Sequence, residues 1–207
     1  IENAKMDENG VLDFNDTGLT ENARVSFPLS HLENVEPGGK GDHPNTIIFL
    51  TADAHGVLPP VARLNHNQAL LWFLLGYTSK LAGTETGVTT PKSTFSRFFG
   101  APFMSRHPEV YLDLFGERLT KHKTQVYLVN TGWTGGSFGV GSRMDIPISR
   151  AVVTAAVSGA LNEVAYRTDK LFKFAVPVTV PGVDEKILNP RDTWDSLAAY
   201  DLASAKL

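Results

Sequence analysis

Residues 46–64, TIIFLTADAHGVLPPVARL, constrain this chain more than any other segment. Ile47-Ile48-Phe49-Leu50 is a short apolar run bounded by polar residues, the length and composition of a buried strand. It breaks into Thr51, Asp53 and Gly56, then closes on Pro59-Pro60. Small and polar residues directly after a core strand suit an open α/β sheet, where ligands bind in the crevice beyond the strands' carboxyl ends. The pattern predicts an α/β protein with a ligand crevice.

The rest of the chain alternates strand and helix patterns. Val11-Leu12-Asp13-Phe14 follows Asn9-Gly10 and reads as a short strand after a tight turn. Residues 25–32 read as extended. Asn67 is placed to cap a helix from Gln68 to about Leu81, with apolar residues at three- and four-residue spacing. Residues 83–96, GTETGVTTPKSTFS, are rich in Gly and Thr and predict a mobile surface loop. His107-Pro108 opens a further helix with Val110, Leu112, Leu114, Phe115 and Leu119 on its apolar side, and Lys121 and Lys123 near its end suit the helix dipole.

Gln125–Asn130, QVYLVN, is the second clear buried strand, and it too runs into an unusual loop, TGWTGGSFGVGSRM. A helix is expected from about Ser149 to Val157, ended by Gly159. Residues 172–190 are punctuated by proline and read as irregular, and another helix begins at Thr193. No repeat, low-complexity tract or linker interrupts the pattern, which predicts one α/β unit with a mixed sheet and flanking helices.

Composition excludes several classes of function. With 207 residues, 42% hydrophobic and 20% charged, the chain can bury a sizeable core and is not of a disordered type. A formal net charge of −3 gives no electrostatic case for nucleic acid or an anionic membrane. The absence of cysteine removes disulfides and thiolate metal sites. No apolar run approaches the roughly 20 residues of a membrane-spanning helix. Glu2, Lys5, Asp7 and Glu8 leave no apolar stretch of signal-peptide type at the start, so a cytoplasmic location is expected.

The candidate chemistry lies in the loops. Five glycines stand between Gly132 and Gly141, followed by Arg143, which can stack on a base or bind phosphate. Gly139-Val-Gly-Ser-Arg-Met144 is not the dinucleotide pattern GxGxxG, and GxxxxGK[ST] occurs nowhere in the chain, so spacing leaves a ligand loop and a plain turn equally open. Arg24, after Thr20-Glu21-Asn22-Ala23, reads either as a surface arginine or as a fixed anion clamp. None of the six histidines forms an HExxH pattern; Asp53 and His55 alternate along a loop but make a weak metal pair, and no metal site is assigned. Ser93, Thr94 and Ser96 read as turn and capping residues.

Several segments, taken together and in order, resemble ATP-dependent phosphoenolpyruvate carboxykinases. They are TENARVSFP (20–28), FLTADAHGVLPPVARL (49–64), GYTSKLAGTETGVTTPKSTFSRFFGAPF (76–103), VYLVNTGWTGG (126–136) and PGVDEKILNPRDTW (181–194). The resemblance implies an enzyme of gluconeogenesis that converts oxaloacetate and ATP to phosphoenolpyruvate, carbon dioxide and ADP with divalent Mn or Mg. It also implies that the chain is part of the nucleotide-binding C-terminal domain of that fold. The N-terminal domain, the metal-binding lysine, histidine and aspartate and the glycine-rich kinase loop are not matched. The sequence stops at Leu207 within an expected helix, so a fragment that depends on the remainder of the same enzyme is expected, inactive by itself. A non-catalytic nucleotide-binding or structural fragment is the alternative.

Carried over residue by residue, the resemblance implies that Arg24 contacts the ATP γ-phosphate and the carboxylic substrate, serving as catalytic and substrate-binding residue. Arg143 and Met144 would pack on adenine and ribose, and Ser149, where the family usually has threonine, would hydrogen-bond the nucleotide. Residues 83–96 resemble the active-site lid, although Glu85-Thr86-Gly87 stands where the family often has Glu-Arg-Gly. His55 replaces a common aromatic. Residues 51–60 are expected to support the site without touching the ligand.

Overall fold

The structure, a computed structural model, describes residues 1–13, 16, 18, 24–81 and 88–207. Their contacts gather into two units, Ile1–His43 with Lys80–Lys92, and Pro44–Ser79 with Ser93–Leu207. In the first, β1 (Lys5–Met6) pairs antiparallel with β2 (Leu12–Asp13). The Asp7 carboxylate organises the turn between them, accepting the N–H groups of Asn9 and Val11 at 2.9 and 2.8 Å. Phe14, expected in the second strand, lies outside the described residues. No described residue of this unit is buried, so its described residues form no apolar core. Its segment 25–32 is not wholly extended: after Pro28 the chain closes a 3-10 turn, Leu29–His31, and Val25 and Leu29 stay exposed.

The second unit is built on a five-stranded mixed sheet. In chain order its elements begin with β3 (Thr46–Thr51), β4 (Val61–Leu64) and α1 (His66–Leu75), then β5 (Tyr77–Lys80) and β6 (Lys92–Phe95), of which Lys80 and Lys92 are counted with the first unit, and α2 (Pro108–His122). They continue with β7 (Gln125–Asn130), β8 (Trp133–Thr134), β9 (Ser142–Arg143) and α3 (Ile146–Val157). The last are β10 (Tyr166–Thr168), β11 (Ala175–Pro177), α4 (Glu185–Leu188), α5 (Pro190–Thr193) and α6 (Leu197–Ser204). The strand order is β10-β11-β4-β7-β3, with β3 parallel to β7 and the other pairs antiparallel. Both apolar runs singled out in the sequence are thus neighbouring strands, and β7 is buried at every position after Gln125.

Side chains alternate across the sheet with period two. Phe49, Leu64, Val126 and Leu128 face one way, packed with Ala69 and Trp72 of α1 and Leu119 of α2. Val61, Tyr127 and Val129 face the other, against Val152, Ala155 and Ala156 of α3. Helices on both faces explain why β7 reads as a continuous apolar run.

Several elements differ from the sequence reading. Asn65, not Asn67, caps α1: its side chain accepts the Gln68 N–H at 2.9 Å while Gln68 Oε1 accepts the Asn65 N–H at 3.0 Å. The helix ends at Leu75 because Gly76 is left-handed (φ 55°), and the Ser96 carbonyl lies where a side chain at 76 would begin. The apolar periodicity through Leu81 is instead a strand, with Tyr77 and Ser79 buried. Residues 92–95, expected in a mobile loop, form β6, which pairs with β5; residues 82–87 lie outside the described set. Leu114 does not join the apolar side of α2 and is 48% exposed. The helix α3 begins at Ile146, earlier than Ser149, with Asp145 preceding it and Pro147 in its first turn. The tail between 172 and 190 contains β11 and α4; Thr193 ends α5 instead of starting a helix, Trp194 is extended, and the expected helix is α6, which starts at Leu197. No helix among the described residues is long and apolar enough to cross a membrane.

Candidate functional site

Parallel register pairs Thr51 with Asn130, so the carboxyl ends of β3 and β7 stand side by side and their loops leave together. The two loops are joined main chain to main chain. Thr131 N–H donates to Thr51 O at 2.8 Å, Trp133 N–H to Asp53 O at 2.8 Å, and Phe138 N–H to Ala54 O at 2.9 Å. Glycine makes this approach feasible. A Cβ at Gly132 would lie 2.3 Å from the Asp53 main chain, and one at Gly56 would lie 2.0 Å from Gly136 O. These glycines serve loop-to-loop packing, an account that sequence spacing left undecided between turn and ligand.

Asp53 is the centre of the first loop. Its side chain is fully buried and accepts four hydrogen bonds: from the N–H groups of His55, Val57 and Leu58 at 2.9, 2.7 and 2.9 Å, and from the Tyr77 hydroxyl at 3.1 Å. Donors of this number compensate a buried carboxylate for lost hydration. Burial first, and then the negative charge of Asp53, push the Tyr77 phenol well above its usual range and hold it as a neutral donor. Both oxygens of Asp53 are therefore engaged by the protein. The His55 ring turns to Ser93 Oγ at 3.0 Å. Among the described residues no three His, Asp or Glu side chains come together as a metal-ligand set.

Beyond the strand ends an open groove of about 810 Å³ is lined by Leu50, Thr131, Arg143, Met144, Ser149 and the first two turns of α3. Arg143 is exposed; its Nε donates to Thr131 O at 3.3 Å and its guanidinium stands 5.8 Å from the centre of the Trp133 ring. Trp133 and Arg143 are register partners across β8 and β9. Met144 is buried, and its N–H donates to Gly132 O at 2.8 Å. Ser149 is half-buried in the first turns of α3, a position at which a hydroxyl and the helix N-terminus can face an anionic or polar ligand. An apolar floor, a flat cation and a hydroxyl in one groove suit a heteroaromatic group carrying polar substituents.

Of the residues anticipated from sequence, the structure brings Arg143, Met144 and Ser149 together. Arg24 belongs to the other unit, where its main chain exchanges hydrogen bonds with Glu2 at 2.7 and 3.1 Å and its side chain is exposed. Sequence reasoning missed Leu50 and Thr131 in the groove, Trp133 beside Arg143, and Asn130 and Tyr77 beneath the loops. An asparagine ending an apolar strand was the one local signal available for Asn130.

A sequence model of the phosphoenolpyruvate carboxykinase family matches residues 1–186. The phosphoenolpyruvate carboxykinase (ATP) of Allorhizobium ampelinum is 55% identical over 207 residues, covering 100% of this chain and 39% of that protein. Its counterpart from Parvibaculum lavamentivorans is 56% identical over 208 residues, with the same coverage. That of Thermus thermophilus is 53% identical over 200 residues, covering 97% of this chain and 38% of the relative. The chain thus spans about two fifths of the length of the curated relatives it matches.

Proposed function

We propose that this chain, which belongs to the phosphoenolpyruvate carboxykinase family, is the C-terminal nucleotide-binding part of an ATP-dependent phosphoenolpyruvate carboxykinase. The observation that carries this reading is the single groove shared by Arg143, Met144 and Ser149. Adenine would lie on Met144 with the Arg143 guanidinium against its face, and Ser149 would hydrogen-bond the nucleotide. The reaction releases carbon dioxide from oxaloacetate to leave an enolate, whose oxygen attacks the γ-phosphorus of ATP as the bond to ADP breaks. Arg24 would neutralise charge on the transferring phosphoryl oxygens and hold the substrate carboxylate. Residues 83–96 would act as a lid, excluding water so that the enolate receives the phosphoryl group.

Divalent Mn or Mg would add charge neutralisation at the phosphates. The family resemblance puts its donors in the rest of the polypeptide. Oxaloacetate, phosphoenolpyruvate and ATP or ADP are the ligands of this reading, in gluconeogenesis and in the cytoplasm, with no role for nucleic acid or membrane. Placement in the C-terminal part rests on the order of the resembling segments and on the lack of a GxxxxGK[ST] loop in the sequence. A kinase-type glycine loop encoded before Ile1 is expected; one encoded only after Leu207 contradicts the placement.

Turnover of the complete polypeptide tests the catalytic assignment. Arg24→Ala should lower kcat by roughly three orders of magnitude or more, as loss of a phosphoryl-clamping arginine does. Near-normal turnover would remove Arg24 from the mechanism.

One observation favours a second reading, a structural fragment without activity. The β3 edge, Thr46–Thr51, carries no charge and no proline, the kind of edge that recruits another strand. Under that reading the 207-residue chain self-associates and binds no ATP. A soluble monomer that binds ATP would exclude it.

A further inference from the structure

We infer that Asn130 and Asp53 are positioning residues for the nucleotide groove, fixing Arg143 and Met144 without touching the ligand. The inference rests on the nucleotide-binding reading above. Neither residue lines the groove, and they are 1% and 0% exposed. Asn130 Oδ1 accepts two main-chain N–H groups, from Asp53 at 3.0 Å and Gly132 at 2.8 Å, while its Nδ2 donates to Leu58 O at 3.0 Å. The side-chain amide therefore replaces the ladder rung that is lost where β3 and β7 diverge after the Thr51–Asn130 pair.

Residues 131–133 are held on one side by this clamp and carry the ligand contacts on the other. Thr131 O receives Arg143 Nε, Gly132 O receives the Met144 N–H, and Trp133 stands opposite Arg143 in register. On the clamped side, Trp133 N–H is bound to Asp53 O, and Gly132 lies against the Asp53 main chain with no room for a Cβ. Arg143 is exposed and sits on a two-residue strand, so these few bonds set where its guanidinium stands. A shift of the 131–133 segment moves both nucleotide contacts at once. The carboxylic substrate, assigned elsewhere, has no such dependence on the clamp.

The experiment measures KM for ATP and for oxaloacetate, with thermal midpoints, in the complete polypeptide carrying Asn130→Ala, Arg143→Ala or Leu64→Ala. Leu64 belongs to the core on the sheet face away from α3 and provides a destabilised control. Asn130→Ala is expected to raise KM for ATP about ten- to a hundredfold and KM for oxaloacetate less than about twofold, the cost of misplacing a binding group by about an ångström. Leu64→Ala should lower the thermal midpoint and leave KM for ATP unchanged. If Asn130→Ala does not fold, Asn130→Ser, which keeps one acceptor, reads the same split. An ATP effect no larger than that of Leu64→Ala, with Arg143→Ala still weakening ATP, overturns the positioning role alone. Unchanged ATP binding in Arg143→Ala overturns the nucleotide reading and this inference with it.

Discussion

Asn130 and Asp53 lie 77 positions apart in sequence, yet the side-chain carbonyl of Asn130 accepts the main-chain N–H of Asp53 at 3.0 Å in the buried interior. That bond joins the loops leaving two parallel strands. The Asp53 carboxylate then turns back and satisfies three more N–H groups of its own loop, so the two side chains add to the main-chain bonds that already join the loops.

Asp53→Ala should therefore be among the most destabilising single substitutions in the chain. It strands the N–H groups of His55, Val57 and Leu58 and the Tyr77 hydroxyl; each buried unsatisfied donor costs roughly 1–3 kcal/mol. Several kcal/mol is a large share of the roughly 5–15 kcal/mol stability of a globular domain. Denaturant unfolding measures it, and a loss below about 1 kcal/mol would show that water reaches these donors.

Two glycines should respond to alanine with opposite signs. At Gly132 a Cβ would lie 2.3 Å from the Asp53 main chain, and the expected cost is about 1–3 kcal/mol of overpacking. At Gly116, inside α2, a Cβ would meet His66 and Leu70 at 3.5 Å, ordinary contact, and helix propensity should add up to about 1 kcal/mol. Unfolding midpoints of the pair compared with the parent decide whether loop proximity is as close as described.

Tyr77, Tyr166 and Tyr200 all have phenols raised above the ordinary 10.0, chiefly by burial, with neighbouring Asp53, Tyr127 and Asp169 respectively adding to the shift. A raised folded pKa means that their contribution to stability is complete below about pH 10 and declines as pH rises beyond it, because the unfolded phenols ionise first. Absorbance titration at alkaline pH should show these three ionising only as the protein unfolds. Tyr77→Phe should reduce the pH dependence, and ionisation of all tyrosines near the ordinary value in folded protein would contradict the burial.

The sheet was legible where composition was local and strong. Both Gln125–Asn130 and 47–50 proved to be strands, but only the first is apolar because helices cover both sheet faces; β3 is the edge strand and its Leu50 is exposed. Element ends were less legible. Apolar periodicity runs through Gly76, and the left-handed turn at that glycine, with the Ser96 main chain packed against it, explains the change from helix to strand. In the groove, Arg143 was singled out by the glycine-rich loop before it, whereas Met144 and Ser149 were accessible only through family resemblance. Asn130, Trp133 and Tyr77 were accessible by neither route, because their roles come from contacts between distant segments: Tyr77 reaches Asp53 across 24 positions and Asn130 reaches Leu58 across 72.

The central claim is that the groove between the β3 end and α3 holds the base of ATP. Photolabelling the complete polypeptide with 8-azido-ATP, followed by mapping of the modified peptide, tests it most directly. The account predicts a label within residues 131–154 that excess ATP prevents and Arg143→Ala diminishes. A label that ATP prevents but that falls entirely outside this chain would contradict it.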